Sequence, residues 1–274
     1  MSTQLRLFTL KSRVEETVQL IPKHVRYAIS SVVGGIAMFL AVAVPFQAIW
    51  ISVPIILILC YGLVWFAIFE NIDRVEWIML FALPIMWTLE WYIFFYMIPV
   101  RWLTRIVFSA VFAIFLYVLI SVENIYNVGV EKNIQLQKVA LTVSTIFLIC
   151  LVYIAFQVIA SFEFNVLISS LLVALVAWLI AIKYFWTTDP KLSVSRGEML
   201  VALLTAVICG LFNIVFALFP FFSETTRPVL LAGLFYVVTS MISDAPDEII
   251  FAQRSREMIL IASALVVVFL SSIR

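Results

Sequence analysis

The sequence predicts an all-α membrane protein, a polytopic transmembrane helix bundle of about nine spans with a cytoplasmic amino terminus. Its 274 residues are 65% hydrophobic and 12% charged, with a mean hydropathy of +1.17, whereas soluble domains are about half apolar and about a quarter charged. The apolar runs are continuous rather than alternating with a period of two, which favours helices over a β-barrel. Lysine and arginine are also distributed unevenly between the segments that separate these runs.

The first segment, residues 1–25, predicts an amphipathic helix that lies in the membrane interface. Apolar residues recur in it at helical spacing, and charged residues occupy positions between them. The apolar residues are Leu7, Leu10, Val14, Val18 and Ile21. A disordered tail is the alternative. Because Glu15 and Glu16 interrupt the basic residues, the segment differs from a signal peptide. Residues 26–274 are therefore expected to form a single transmembrane domain that begins with an uncleaved anchor.

The apolar runs set the positions of the spans. Residues 27–69 carry no charge, and these 43 residues are twice the roughly 20 that one crossing requires, so two helices must share them around a turn at residues 44–47. Ser30, Ser31, Gly34 and Gly35 predict close packing of the first helix against another. The predicted spans are 26–44, 48–69, 77–98, 102–121, 139–160, 166–183, 199–222, 228–243 and 258–273.

The positive-inside rule supports this count independently of hydropathy. With the amino terminus inside, only four of the 17 lysine and arginine residues fall outside, namely Arg101, Arg105, Arg227 and Arg274. If one of the later spans did not cross, every segment after it would lie on the opposite side of the membrane. The excess of lysine and arginine on the inner side would then be smaller. At the predicted span ends, where an aromatic belt forms at the interface, lie Trp50, Trp77, Trp102 and Trp186.

Several kinds of chemistry are not expected. Cys60, Cys150 and Cys209 lie inside apolar runs without CxxC spacing, which predicts buried small hydrophobic residues. His24 is the only histidine of the sequence, so a zinc site or a Ser-His hydrolase is not expected. No cofactor is indicated. The net charge of +1 argues against a nucleic-acid partner, which leaves the lipid bilayer and other membrane proteins as expected partners.

Glu90 is the one acid placed well inside a predicted span. Carboxylates at this depth are costly, so each is a functional candidate by default, here as a proton or cation site. The alternative is a structural ion pair with Arg101 or Arg105, which begin the adjacent helix and have side chains long enough to reach it.

The longest polar passage follows the fourth span and provides a candidate polar site. Glu123 and Asn127 are four residues apart and Asn124 and Asn127 three apart, so one side of a helix carries all three. These three residues could form a polar mouth for a head group or a small solute, and with Glu90 and Asn213 they are the candidate site residues. A capped helical hairpin is the alternative.

Two other polar features have structural and functional interpretations. Asn213 lies in the seventh span, where its amide can hydrogen-bond across helices. Asp244, Asp247 and Glu248 could hold a divalent cation on the inner side, although the same residues with Pro246 fit the start of a short helix.

The polar passage also carries a resemblance. The pattern Pro99-x-Arg101-Trp102-Leu103-Thr104-Arg105, followed by Tyr117, Glu123-Asn124-Ile125-x-Asn127-Val128 and Ile134-Gln135-Leu136, is similar to a family of multi-pass inner-membrane proteins of unknown function from small-genome candidate-phylum bacteria. Gln253-Arg254-Ser255-Arg256-Glu257 resembles the basic motif that precedes the last span of that family. The resemblance implies a bacterial cytoplasmic membrane location and carries over no catalytic residue.

Three functional hypotheses follow. The first is a non-enzymatic membrane subunit or accessory protein in assembly, which the scarcity of intramembrane charge and the short loops favour. The second is a permease for a small solute or a lipid, using Glu90 and the Asn124 region. The third is an enzyme acting on a lipid-linked substrate, which would depend on Asp244, Asp247 and Glu248.

Overall fold

The computed structural model describes residues 21–69, 77–99, 101–129, 134–190, 193–219, 226–244 and 263. Within these ranges all regular structure is helical, which confirms the predicted all-α bundle. A short 3-10 turn, Phe46–Ala48, joins the first two helices. The helices are α1 (Lys23–Ala41), α2 (Ile49–Ile68), α3 (Trp77–Phe95), α4 (Trp102–Gly129), α5 (Ile134–Ser161), α6 (Val166–Thr188), α7 (Arg196–Leu218) and α8 (Thr226–Asp244).

The described residues contain eight helices long and apolar enough to cross a membrane, rather than the nine predicted spans. The ninth prediction, 258–273, lies outside the described residues except for residue 263, and so does most of the predicted interfacial segment 1–25. Helix α4 continues through the polar passage to Gly129, as the spacing of Glu123, Asn124 and Asn127 predicts. Helix α6 is longer than expected, because it continues past Lys183 to Thr188.

The helices pack in two consecutive groups of four. In the first group α1 contacts both α2 and α4, and α3 contacts α2 and α4; in the second group α5 contacts α6 and α8, and α7 contacts the same two helices. Helix α5 joins the groups because it also packs against α3 and α4. Each group is therefore a closed ring of antiparallel neighbours.

Hydrogen bonds show that α1 and α3 end on one side of the bundle and that α2 and α4 end together on the other, since the short turn Phe46–Ala48 joins the end of α1 to the start of α2. The Tyr96 hydroxyl, just after α3, donates to the carbonyl of Val44, just after α1, over 3.0 Å, and Asn127 near the end of α4 donates to Ile68 at the end of α2 over 3.0 Å. We call the side of the bundle where α1 begins the near side, and the opposite side the far side. If the predicted orientation holds, the near side is cytoplasmic.

Small residues allow the closest helix contacts, as predicted for the first span. A Cβ added at Gly35 would lie 2.7 Å from Cβ of Ala113, and one at Gly210 would lie 3.1 Å from Cβ of Ala174. The first position brings α1 against α4, and the second brings α7 against α6. At Gly35 a side chain would therefore force the two helices apart, whereas at Gly210 it would require the neighbouring residues to move by a few tenths of an ångström.

The outward surface of the helices is apolar, as expected of a protein whose solvent is lipid. Trp50, Trp77 and Trp102 are exposed near helix ends, in agreement with a membrane-interface position, whereas Trp186 is fully buried, so its predicted position in the belt is wrong. Trp186 lies near the end of α6, but its ring packs inside the bundle against Tyr126 and Lys183. Cys60 and Cys209 are buried as predicted, but Cys150 is exposed.

Candidate functional site

A buried ion pair occupies the near half of the bundle. Lys183 on α6 lies 2.9 Å from both carboxylate oxygens of Glu123 on α4, and both side chains are at most 1% exposed. Lys183 Nζ also donates to the carbonyl oxygen of Met79, in the first turn of α3, over 2.7 Å. One ammonium group therefore connects three helices.

Aromatic rings and an amide enclose this pair. Lys183 Nζ lies 4.6 Å from the ring centroid of Trp186 and 5.6 Å from that of Tyr126, distances at which an aromatic face attracts a cation. One turn beyond Glu123, the Asn127 amide donates to the backbone of Ile68 and attaches α2 to the same cluster. The fully enclosed cluster consists of Glu123, Tyr126, Asn127, Lys183 and Trp186.

The geometry of this cluster favours a structural role over a transport role. Burying two charges is costly, and a buried pair is tolerated when its geometry is good and further hydrogen bonds satisfy it. Here Lys183 has a carboxylate, a carbonyl and an aromatic face as partners. The cluster therefore holds α2, α3, α4 and α6 in one arrangement.

The predicted polar site is divided by the fold. Glu123 and Asn127 lie together in the buried cluster, whereas Asn124, between them in sequence, is only half-buried. Glu90 and Asn213 lie in the far half of the bundle, on α3 and α7. Lys183 is not among the predicted site residues. A lysine that directly follows a long apolar run predicts the end of a span, and this position is the signal that the sequence offers.

Glu90 lies among aromatic side chains of α3. Its Oε2 atom is buried and has no hydrogen-bond partner, and within the described residues Glu90 forms no ion pair, so the predicted pairing with Arg101 or Arg105 is not found. The flanking Trp87 and Trp91 stack with ring centroids 5.5 Å apart. The carboxyl group is therefore held in an apolar environment without a compensating charge.

Asn213 forms a hydrogen-bonded contact between helices. Its amide donates to the hydroxyl of Ser170 over 2.9 Å and to that of Ser169 over 3.3 Å, both at the start of α6. Such bonds are worth roughly 0.6 to 2 kcal/mol in membranes. This is the cross-helix contact that the sequence predicted, and it also borders a cavity on the far side.

A chain of hydroxyl groups on the far side was not predicted. The Tyr92 hydroxyl lies 2.7 Å from Ser52 Oγ and 2.9 Å from the Tyr96 hydroxyl. Tyr92 donates to the carbonyl of Ala41, the last residue of α1, and Tyr96 donates to the carbonyl of Val44, just after that helix. These bonds attach the end of α1 to the end of α3.

A groove about 290 Å³ in volume runs between α1 and α4 on the outer surface. Its lining carries no charge, and the small residues Gly35, Ala110 and Ala113 leave the groove open. The hydroxyl of Ser109, which also lines it, is buried and has no hydrogen-bond partner. The groove is lined by Val32, Gly35, Ile36, Phe39, Ile106, Ser109, Ala110 and Ala113.

The described residues hold no group of three or more histidine, cysteine, aspartate and glutamate side chains that could bind a metal ion. Asp244 is the last residue of α8, and Asp247 and Glu248 lie outside the described residues. Comparisons with protein-family models, with curated proteins and with solved structures find no match for the chain.

Proposed function

We propose that the protein is a non-enzymatic subunit of a complex in the bacterial cytoplasmic membrane, and that it binds a transmembrane helix of a partner protein in the groove between α1 and α4. The observation that carries this proposal is the uncharged groove itself, in which Gly35, Ala110 and Ala113 leave the backbones of α1 and α4 open to close approach. The resemblance of residues 99–138 to inner-membrane proteins supports the proposed location.

The dimensions of the groove suit close helix contact. Gly35 already allows α1 to approach α4 so closely that its Cα faces the backbone of Ser109 and Ala113. Ala110, on the same outer face, adds no bulk beyond a methyl group. Small residues at a membrane surface permit a third helix to pack by van der Waals contact and by hydrogen bonds.

Small side chains favour a helix as the occupant of the groove. Small residues on both surfaces let two helix backbones approach closely, and close packing is what stabilises helix contacts in a bilayer. The occupant that fits is therefore an uncharged transmembrane helix with a small residue at its crossing point.

Site-specific photo-crosslinking tests this proposal in cells. A photoreactive amino acid at Ile106, on the groove edge, should give one discrete adduct whose peptide map places the crosslink within a transmembrane helix of another protein. Ala110→Leu fills the groove and should abolish the adduct. Gly62→Leu is the matched control, because nothing lies within 4 Å of a Cβ at Gly62, and it should leave the adduct unchanged.

Other outcomes would contradict the proposal. An adduct with a second copy of the chain would identify the groove as a homodimer interface. A lipid adduct alone, or an adduct that survives Ala110→Leu, would show that no partner helix occupies the groove.

A second function, a permease for a small solute or a lipid, is favoured by one observation, the buried and unpartnered Oε2 of Glu90. A carboxyl group in this position can bind a proton or a cation during transport. Solute or proton flux into liposomes that contain the purified protein tests it. Loss of flux in Glu90→Gln with unchanged unfolding temperature would favour the permease, whereas flux equal to that of empty liposomes would exclude it.

A further inference from the structure

A cavity of about 240 Å³ opens on the far side of the second helix group, away from the α1/α4 groove. It lies between the end of α5, the start of α6, the last turns of α7 and the start of α8. Its apolar lining includes Phe156, Val173 and Leu231, and its polar lining consists of Glu163, Ser169, Asn213 and Arg227.

The cavity is lined by one side chain of each charge. Arg227 is the second residue of α8, and Glu163 lies in the turn between α5 and α6. Because α8 packs against both α5 and α6, the fold brings a guanidinium and a carboxylate to the same small space. An anion alone would face the Glu163 carboxylate, and a cation alone would face Arg227, so neither matches the whole lining.

Glu163 occupies an unusual backbone position. Its φ angle is +48°, in the left-handed region, where glycine is the favoured residue after a helix. Holding a residue with a side chain there costs roughly 1–2 kcal/mol. A glycine at position 163 would remove this cost, but it would also remove the carboxylate from the cavity edge.

The inner wall of the cavity is held in place by hydrogen bonds. Asn213 is 6% exposed, and its amide donates to the hydroxyls of Ser169 and Ser170. These bonds fix the Ser169 hydroxyl where it lines the cavity. Asn213 and Ser169 are therefore held in place by α7 and α6 before any ligand binds.

We propose that this cavity binds a small zwitterion, with its oxyanion at Arg227, its ammonium group at Glu163 and its apolar portion against Phe156, Val173 and Leu231. The volume is below the roughly 300–1,000 Å³ of pockets for drug-sized ligands, which limits the ligand to a compact molecule. Two sources offer this chemistry at a membrane surface. One is a free amino acid with an apolar side chain, and the other is the phosphoethanolamine head group of a phospholipid.

Thermal unfolding of the full chain, purified in detergent without added lipid, tests the proposal. The probes are two zwitterions, leucine and a short-chain phosphatidylethanolamine. The controls for leucine are isovalerate and isoamylamine, which each keep one of its two charges. The control for the phospholipid is a short-chain phosphatidylglycerol. At least one zwitterion should raise the unfolding temperature in a saturable manner, and its single-charge analogues should bind at least about tenfold more weakly. Stabilisation by leucine indicates a free solute, and stabilisation by the phosphatidylethanolamine alone indicates a head group.

Substitutions at the cavity provide the second part of the test. Glu163→Gln and Arg227→Gln should each weaken binding of the zwitterion at least about tenfold, while Arg227→Lys, which keeps the charge, should weaken it less. Arg196→Gln, an exposed position at the near-side start of α7, is the matched control and should bind as the unmodified protein does. Failure of both zwitterions to bind, equal binding of the single-charge analogues, or binding unaffected by both glutamine variants would overturn the proposal.

Discussion

Lys183 and Glu123 form a buried ion pair across 60 residues of sequence, with the ammonium nitrogen 2.9 Å from each carboxylate oxygen. The pair joins α6 to α4, and the bond from Lys183 to the Met79 carbonyl adds α3. Because α3 and α4 belong to the first helix group and α6 to the second, the pair also fixes how the two groups meet.

Removing one member of the pair should destabilise the protein strongly. Lys183→Met leaves the Glu123 carboxyl buried without its cation, and broken buried pairs cost about 3–5 kcal/mol. The double variant Glu123→Leu with Lys183→Met removes both charges and should be more stable than the single variant. Unfolding by sodium dodecyl sulfate in mixed micelles, followed by tryptophan fluorescence, measures both. If the double variant were less stable than Lys183→Met alone, the pair would be contributing through more than charge compensation.

A methyl group at Gly35 should separate α1 from α4. The added Cβ would lie 2.7 Å from Cβ of Ala113 and 3.3 Å from the Ser109 carbonyl oxygen. Since these are rigid neighbours, Gly35→Ala requires a backbone shift, and overpacking of this kind costs about 1–3 kcal/mol.

Gly62→Ala is the control for this substitution. Nothing lies within 4 Å of the added Cβ, and alanine favours a helix over glycine by about 1 kcal/mol. The same unfolding measurement should therefore give a variant at least as stable as the unmodified protein. Equal destabilisation by both substitutions would indicate a general effect of changing glycine rather than contact at the α1/α4 interface.

The carboxyl group of Glu90 should react with a hydrophobic carbodiimide, whereas that of Glu123 should not. Dicyclohexylcarbodiimide enters the membrane and adds to carboxyl groups in apolar surroundings, and Glu90 has a buried oxygen without a partner. Glu123 is enclosed and bonded to Lys183. Peptide mapping by mass spectrometry should locate the adduct on the peptide that contains Glu90, and Glu90→Gln should remove it. Modification of Glu123 at a comparable rate would show that the buried cluster opens.

The contrast between Glu90 and Glu123 shows what the sequence could and could not predict. Hydropathy placed both helices correctly, because the length of an apolar run limits where a helix can cross. It does not determine the rotation of a helix about its axis. Arg105 follows Glu90 closely in sequence, yet packing of the α3 and α4 aromatic rings, such as Trp91 on Phe108 with centroids 4.6 Å apart, sets which faces meet.

The sequence also does not show which charged residues pair across distant helices. A charge after an apolar run usually marks the interface, so Lys183 is expected at a span end. In the structure the lysine is compensated by Glu123, and α6 continues to Thr188 with Trp186 buried beside it. By contrast, the contact of Gly35 with α4 followed from a local pattern of small residues, which needs no knowledge of a partner.

Cysteine labelling should show that residues 162 and 189 lie on opposite sides of the membrane. Helix α6, Val166–Thr188, is the only element between them and is long enough to cross. In a background without Cys60, Cys150 and Cys209, Phe162→Cys should react with a membrane-impermeant maleimide in intact cells. Asp189→Cys should react only after the cells are permeabilised, because lysine and arginine are concentrated on the near side and the positive-inside rule places that side in the cytoplasm. The reverse pattern would invert the orientation and place the zwitterion cavity inside, while labelling of both positions in intact cells would mean that α6 does not cross.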